Sequence, residues 1–442
     1  MRRIAVACAA LLAPSAASAA ELPFHRSTLD NGLTLIVHED RSVPVAAVNL
    51  VVRVGSRDEE RGKTGFAHLF EHLMFMGTRR VPPKMFDAWM EAAGGSNNAW
   101  TSADLTDYHE TAPPGALGLL LYLEADRLEV LGREIDQAKL DLQRDVVRNE
   151  RRQQIENVPY GKVELRLPEL LYPAGHPYHH PVIGSHEDLE AATVADVRRF
   201  FATHYAAANV SLVVAGDVRV DEVRAQVERL FGRLPGGARP ARARAGEVPR
   251  LPSQVRETLE DKVELAKLTV AYHTPAHFAP DDAELDLFAS VACSGKASRL
   301  YRALVVDRPL AQSVDCSQQS AQLSSVFQLE IVARAGVSLG EVEAALDSAL
   351  RGAIDAPPSA AELRRARSQY EHAFVARLEA PAARAKLLNL YEVELGDPGS
   401  LDRDLARYRD ATREGVARAA RTWLGVSGRV VLGVVPAKGR AK

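Results

Sequence analysis

The 442-residue sequence has little cysteine, few aromatic residues and no marked excess of charge of either sign. Its cysteines, Cys8, Cys293 and Cys316, are too few for a disulfide framework, which excludes the small disulfide-rich class. Because 55 basic residues face 58 acidic ones, no charge excess points to nucleic acid. The apolar runs fall short of the roughly 18–20 residues that a membrane-spanning helix needs. We therefore expect neither nucleic-acid binding nor a membrane span.

The composition that is present is typical of a globular protein. Hydrophobic residues make up 46% of the chain and charged residues 26%. This is too apolar for a disordered chain and too charged for a polytopic membrane protein. At roughly 100–200 residues per domain, the length predicts two to four domains. We interpret Cys293 and Cys316 as two ordinary buried thiols, and the sequence does not decide whether they pair.

Residues 1–20 have the layout of a secretory signal peptide. Arg2 and Arg3 precede an apolar run at 4–13, and small residues follow at 17–20. The apolar run is too short to span a bilayer, and the alternative interpretation is a buried N-terminal helix. We expect export to a bacterial periplasm.

The strand and helix patterns predict an α+β fold, because they mix without a regular β-α alternation. The β-branched runs at 33–37 and 43–52 are expected to pair as strands around a turn. Each half of the chain begins with strands and ends with a strand near glycine, at 210–215 and at 429–435. This repetition indicates a duplicated domain.

A segment rich in Pro, Gly, Ala and Arg divides the two halves and is the best linker candidate. The predicted organisation is a signal peptide at 1–20, an N-terminal domain at 21–236, a linker at 237–253 and a homologous C-terminal domain at 254–442. The arginines of the linker suggest an RNA-binding patch as an alternative. Because aromatic residues do not interleave with them, we interpret the segment as a solvated linker.

The segment from Gly65 to Gly77 contains His68-x-x-Glu71-His72 and is apolar on every side. It predicts a buried helix with Thr64 as N-cap and Gly77 just beyond its end. On a helix the two histidines share one face, with Glu71 beside them. Two imidazoles and a neighbouring carboxylate suit a zinc ion and a zinc-activated water. The alternative is three satisfied polar side chains with no metal.

A catalytic zinc site needs a third protein ligand, and Glu150 is the candidate. It lies in a predicted helix at 136–156, on the face that carries Gln143, Val146 and Val147. Taken alone, Glu150 would be an ion-paired helix residue. Opposite two buried histidines, it becomes the natural third ligand.

This pattern, with Glu150 placed 78 residues after His72, resembles the inverzincin metallopeptidases of the insulinase/pitrilysin family, in its bacterial processing-peptidase-like branch. The resemblance implies two homologous α+β domains, each a mostly antiparallel sheet packed with helices. It also implies one Zn²⁺ per chain, held by His68, His72 and Glu150, and Glu71 as the base that activates water. Further matching segments are Gly94–Tyr108, His176–Tyr178, Pro181–Gly184 and Gly216–Asp217.

The resemblance implies a zinc metalloendopeptidase that hydrolyses extended or unfolded peptides. The substrate backbone would pair with the strand predicted at 98–108, contacting Asn98, Ala99 and Thr101, by β-augmentation. Two alternatives stay open: a non-catalytic scaffold, and a partner-dependent peptide-binding member of the same family. The natural substrate and its cleavage site are not revealed.

The sequence departs from the family pattern in two places. Gln143 stands where many members carry a glutamate seven residues before the third ligand. Val305 and Gln312 stand where many members carry an Arg and a Tyr that hold the substrate. We therefore expect a dimer in which a homologous subunit supplies the missing pair, and a homodimer is the alternative.

Four histidines at 176, 179, 180 and 186 lie together in a Pro- and Gly-rich loop. They resemble a second metal-binding cluster, but the same loop recurs in the family as a structural element. We interpret them as loop residues.

Overall fold

The β-branched runs of the sequence form the strands of two sheets. The structure is a computed structural model, which describes residues 22–437; the predicted signal peptide therefore lies outside the described residues. The strands are β1 (His25–Thr28), β2 (Thr34–Glu39), β3 (Ala46–Val52), β4 (Ser96–Thr101), β5 (Thr106–Ala112), β6 (Val210–Gly216), β7 (Val255–Asp261), β8 (Lys267–Thr274), β9 (Ala311–Gln319), β10 (Ser325–Ala333) and β11 (Val430–Pro436).

Helices pack on both sheets. In the first half they are α1 (Phe66–Leu73), α2 (Met85–Ala92), α3 (Leu117–Glu134), α4 (Gln137–Arg151), α5 (Lys162–Leu171), α6 (His186–Ala191), α7 (Val194–His204) and α8 (Val220–Phe231). In the second half they are α9 (Asp282–Cys293), α10 (Arg299–Tyr301), α11 (Leu339–Asp355), α12 (Ala360–Arg377), α13 (Pro381–Leu395), α14 (Leu401–Arg409) and α15 (Arg413–Trp423). Within the described range, no helix combines the length and apolarity required to cross a bilayer.

The topology of the two sheets repeats strand for strand. The first has the order β1-β2-β6-β3-β5-β4 and the second β7-β11-β8-β10-β9. Without β1, which has no counterpart, the strands of the first sheet match those of the second in order. The pairs β2–β6 and β7–β11 are parallel, and the remaining matched pairs are antiparallel. This confirms an α+β fold with two homologous, mostly antiparallel sheets. Residues 237–253 form neither helix nor strand; the exact domain boundaries stay predictions.

The predicted pairing of the first two β-branched runs is wrong, because β6 lies between β2 and β3. Leu212 of β6 faces Leu35 in the parallel pair and Leu50 in the antiparallel pair. All seven residues of β6 are buried, so this strand is most stable with a neighbour on each side. The connection at 40–45 is long enough to step over one strand, a distance of about 10 Å between strands two positions apart.

One helix from each half packs against the sheet of the other half. Helix α13 packs on β3 and β6, and α5 packs on β8 and β11, which are the matching strands of the second sheet. Asn389 of α13 is fully buried, and its Nδ2 donates to Asn49 Oδ1 at 2.8 Å and to the Ser211 carbonyl at 3.2 Å. The two halves therefore share buried surface rather than folding as separate bodies.

The interpretation of Cys293 and Cys316 as two separate thiols is wrong. Cys293 ends α9 and Cys316 lies in β9, and the two form a disulfide with their Cα atoms 5.5 Å apart. The pairing depends on α9 packing against β9, which is a tertiary contact that residue spacing does not reveal.

Candidate metal centre

The motif helix α1 is held at its N-terminus by a carboxylate from outside the helix. Glu59 accepts the backbone N–H of Gly65 at 2.9 Å and of Ala67 at 2.7 Å. The predicted N-cap role of Thr64 is wrong, because its hydroxyl and N–H both donate to Asp188. The N-cap residue is Gly65, at φ 88°, a conformation that glycine adopts freely. Glu59 therefore fixes the start of the helix that carries both histidines.

Helices α1 and α4 bring the three predicted ligands together. Glu150 Oε2 lies 3.2 Å from His72 Nε2 and 3.7 Å from His68 Nε2. The two imidazole Nε2 atoms are 3.3 Å apart. One donor atom from each residue thus lies within 4.8 Å of the other two, as a single metal ion requires. On α4 the neighbouring Val147 is buried whereas Val146 is 40% exposed, so Glu150 lies at the margin of the apolar face.

The donor atoms fit a divalent cation. Glu150 Oε2 and His68 Nδ1 are buried and have no hydrogen-bond partner among the described residues. A buried polar atom without a partner is costly, and a metal ion would satisfy the carboxylate oxygen directly. Two imidazoles and one carboxylate with an open fourth position are the ligand set of catalytic zinc sites. The residues present therefore fit zinc.

The protonation of the three residues bears on metal affinity. Burial, followed by the charge of His72, lowers the pKa of His68 to about 4, so His68 is neutral and ready to bind metal. Burial also lowers the pKa of His72, but contact with Glu150 raises it by more. That same contact lowers the pKa of Glu150. A protonated imidazole cannot bind metal, so we expect metal binding to weaken as the pH falls through the raised pKa of His72.

Glu71 lies beside the three donors and is anchored from the sheet. Its side chain is buried, and Oε2 accepts a hydrogen bond of 2.5 Å from Thr101 Oγ1. Burial raises the pKa of Glu71, and the Thr101 bond acts against that shift. A carboxyl whose pKa is raised toward the working pH suits a general base. The sequence predicted Thr101 only as a substrate contact, because strand spacing carries no signal for a bond to a residue 30 positions earlier.

The metal cavity has a volume of about 460 Å³ and its walls come from the first half of the chain. Its residues run from His68 to Ile183, with Asn98, Ala99 and Thr101 on one wall. These three belong to β4, which ends the first sheet and pairs with β5 alone among the described strands. The single strand predicted at 98–108 is wrong, since β4 and β5 form a hairpin around residues 102–105. The outer edge of β4 is nevertheless free to pair with an extended chain.

Val305 and Gln312 lie apart from this cavity wall, in the second half. Val305 is in a π-helical segment, Arg302–Asp307, and packs against the second core. Gln312 is exposed on β9. The helix that matches α1 by position is α9, between β8 and β9, and it has no histidine. The second half therefore repeats the fold without repeating the His-x-x-Glu-His motif.

The loop histidines contact their own loop or its neighbours. His179 Nδ1 lies 2.7 Å from the Tyr172 carbonyl, and His186 Nε2 lies 3.0 Å from Glu156. His176 Nδ1 accepts the Tyr178 N–H at 3.0 Å. These contacts hold the loop in place.

Gln143 lies two turns before Glu150 on α4 and contacts Met76. Its amide Nε2 lies 2.7 Å from Met76 Sδ. Gln143 also contributes to raising the pKa of His72. It therefore stands beside the ligands, where a glutamate would add a negative charge that an amide does not.

The fold and this arrangement together define a two-domain α+β protein that carries the inverted His-x-x-Glu-His motif of zinc peptidases. The chain belongs to the insulinase family, peptidase family M16. The family described as "Insulinase (Peptidase family M16)" matches residues 34–176, and "Peptidase M16 inactive domain" matches residues 191–370. The first match lies within the first half of the chain, and the second begins near the end of that half and extends into the second. The family resemblance seen in the sequence is confirmed.

Relatives that match over most of their length are named zinc proteases. The chain is 29% identical to the zinc protease PqqE of Helicobacter pylori over 393 residues, which cover 86% of each chain. It is also 29% identical to an uncharacterized zinc protease of Mycobacterium tuberculosis, Rv2782c, over 91% of each chain.

Solved structures agree with the fold. A protease from Helicobacter pylori superposes with a TM-score of 0.87 at 26% identity, covering 94% of this chain and all (100%) of that one. The first half of the periplasmic protease PqqL from Escherichia coli gives a TM-score of 0.75 at 19% identity, covering 95% and 94% of the two chains. This second likeness concerns the fold alone.

Proposed function

We propose that the chain is a zinc-dependent endopeptidase that hydrolyses extended or unfolded peptides in a bacterial periplasm. The observation that carries the proposal is the convergence of His68, His72 and Glu150 next to Glu71, in a cavity bounded by the free edge of β4. The names of the relatives support zinc and proteolysis. Export rests on the signal-peptide pattern at 1–20.

The side chains of the site divide the work among themselves. His68, His72 and Glu150 would hold one zinc ion, which supplies Lewis-acid polarisation of a carbonyl and lowers the pKa of a water molecule. The Glu71 carboxylate would accept a proton from the attacking water and transfer it to the leaving amine. Thr101 keeps the Glu71 carboxylate in place through its 2.5 Å hydrogen bond.

The edge strand would bind the peptide. Backbone N–H and C=O groups along the free side of β4 can pair with an extended substrate, as in strand addition. This mode requires a substrate without stable secondary structure, because a folded chain has already used its backbone groups. Asn98, Ala99 and Thr101 would contact the substrate on this edge.

Turnover of an internally quenched, unstructured peptide tests the function. We expect cleavage by wild-type protein, its loss on dialysis against a chelator and its return with zinc. Glu71→Gln should keep the metal but lose turnover, whereas Glu150→Gln should lower zinc affinity. A peptide that binds but is never cleaved, with zinc present, would instead favour the peptide-binding alternative.

We further propose that a homologous subunit completes the site. The metal cavity is walled by the first half, while Val305 and Gln312 replace the Arg and Tyr of many family members. Loss of one preorganised hydrogen-bond donor lowers the rate by roughly a hundredfold. A partner subunit that supplies the Arg and Tyr would restore the rate. The test compares this chain alone with the chain mixed with a sister subunit. High activity alone, unchanged on mixing, would contradict the proposal.

A further inference from the structure

A second cavity, lined by arginines, lies where the linker meets both halves of the chain. We call it the arginine cavity; its volume is about 660 Å³. The first half, the linker and the second half each line part of it. The basic residues that line it are Arg53, Arg57, Arg239, Arg242, Arg244 and His277.

Two of these arginines are paired with carboxylates and form the frame of the cavity. Arg57 Nη1 donates to Asp104 at 2.7 Å, and its side chain is only 4% exposed. Arg242 of the linker donates to Asp58 at 2.8 Å and to the Asp104 carbonyl at 2.6 Å. Arg242 therefore attaches the linker to the first half, although most residues at 237–253 are exposed to solvent, as the composition predicts.

The Arg53 side chain is only 11% exposed. Its Nη1 donates to the Val393 carbonyl at 3.0 Å, but its charge is incompletely compensated. The nearest carboxylate, Glu392, already accepts two hydrogen bonds from Arg26, at 2.8 and 3.0 Å, and lies 3.4 Å from Arg53 Nη2. Arg53 Nε has no hydrogen-bond partner among the described residues. Burial, followed by the charge of Arg239, lowers the pKa of Arg53 to about 10. A buried charge without full compensation is costly, so the cavity favours an added negative charge.

The linker adds two more guanidinium groups to the same cavity. Arg239 donates to the Ala208 carbonyl at 2.6 Å, and no described carboxylate lies within 4.0 Å of Arg239 or Arg244. The one carboxylate that lines the cavity, Glu394, lies 2.8 Å from His277 Nδ1. Positive charge therefore exceeds negative charge along the lining.

We propose that the arginine cavity binds a phosphate group, either as free phosphate or as the phosphoryl group of a small molecule. Guanidinium groups pair with phosphate oxygens through two parallel hydrogen bonds, and a dianion supplies the charge that Arg53 lacks. The volume is within the range of small-molecule sites, about 300–1,000 Å³. A ligand bound there would join the linker to both halves of the chain.

Binding is tested on zinc-free protein, because phosphate also binds metal ions. Isothermal titration with inorganic phosphate, pyrophosphate and ADP at constant ionic strength should show binding, and acetate should not. Tighter binding of ADP than of phosphate would indicate a phosphorylated small molecule, and the reverse order would indicate the free anion. The same ligands should slow tryptic cleavage of the linker after Arg242 and Arg244.

A double variant separates this site from general charge effects. Arg239→Gln combined with Arg244→Gln removes the guanidinium groups of two exposed linker residues and should weaken phosphate binding at least about tenfold. Arg233→Gln, an exposed arginine outside the cavity lining, should bind like wild type. Absence of binding and of tryptic protection for all three phosphate probes would overturn the proposal. So would equal binding by the double variant and wild type.

Discussion

Thr101 provides a direct test of Glu71 as the base, because its hydroxyl contacts the carboxylate without touching the metal ligands. The bond from Oγ1 to Glu71 Oε2 is 2.5 Å long. A hydrogen bond to a charged group contributes about 1.5–3 kcal/mol, which corresponds to roughly 1–2 units of pKa. The bond stabilises the ionised carboxylate and holds the pKa down. Thr101→Val should therefore raise the pKa of Glu71 beyond its already raised value.

The assay is the pH dependence of kcat/KM, whose acidic limb reports the base of the free enzyme. Since Glu71 must be ionised to accept a proton, we expect the acidic limb of Thr101→Val to move upward by about one pH unit or more. Zinc content should stay unchanged across that range. Thr101→Ser is the matched control, because it keeps the hydroxyl and should retain the wild-type limb.

Two results would refute this reasoning. The first is an acidic limb that coincides in wild type and Thr101→Val, which would mean that Glu71 does not limit the rate at low pH. The second is a Thr101→Ser variant that behaves like Thr101→Val, which would show that the hydroxyl does not set the limb and would assign the effect to altered packing. Loss of zinc in parallel with activity would attribute the limb to protonation of His72 instead.

Three further predictions follow from individual contacts. His68→Ala should lose zinc, measured by elemental analysis, whereas Glu71→Gln should keep about one zinc per chain; full zinc in His68→Ala would contradict the ligand set. Asn389→Leu removes buried hydrogen bonds between the halves and should destabilise the fold by about 1–3 kcal/mol in urea unfolding; an unchanged midpoint would show that α13 adds little. Cys293→Ser opens a disulfide with a sequence separation of 23 and should lower stability by about 2–4 kcal/mol. A reductant should lower the Tm of wild type but not of this variant.

Local patterns predicted the features that depend on neighbouring residues. The apolar run around His68 predicts a buried helix, and the structure has α1 at Phe66–Leu73. The i, i+4 spacing places both imidazoles on one face, and their Nε2 atoms are 3.3 Å apart. The duplicated order of strands also follows from patterns, because each half begins and ends with apolar strands.

Contacts between segments distant in sequence could not be predicted from local patterns. The cap on α1 comes from Glu59 rather than from Thr64, since the intervening turn brings that carboxylate under the helix N-terminus. The position of β6 between β2 and β3 depends on which strand is buried on both sides, which a short apolar run does not reveal. The bond of Thr101 to Glu71 joins a strand to a helix. In each case the partner is chosen by tertiary packing.

The residues of the proposed metal site come from the first half, yet the first half needs the second half to cover one face of its sheet. Ile36 and Val213 of the first sheet are fully buried, and Ala385 and Leu388 of α13 cover them. Without α13 this apolar face would be exposed to water, because α1 and α4 belong to the other face's core. The second half thus has a structural role, although α9, its counterpart of the motif helix, carries no histidine. Since α5 covers the second sheet in return, neither half buries both faces of its sheet without the other.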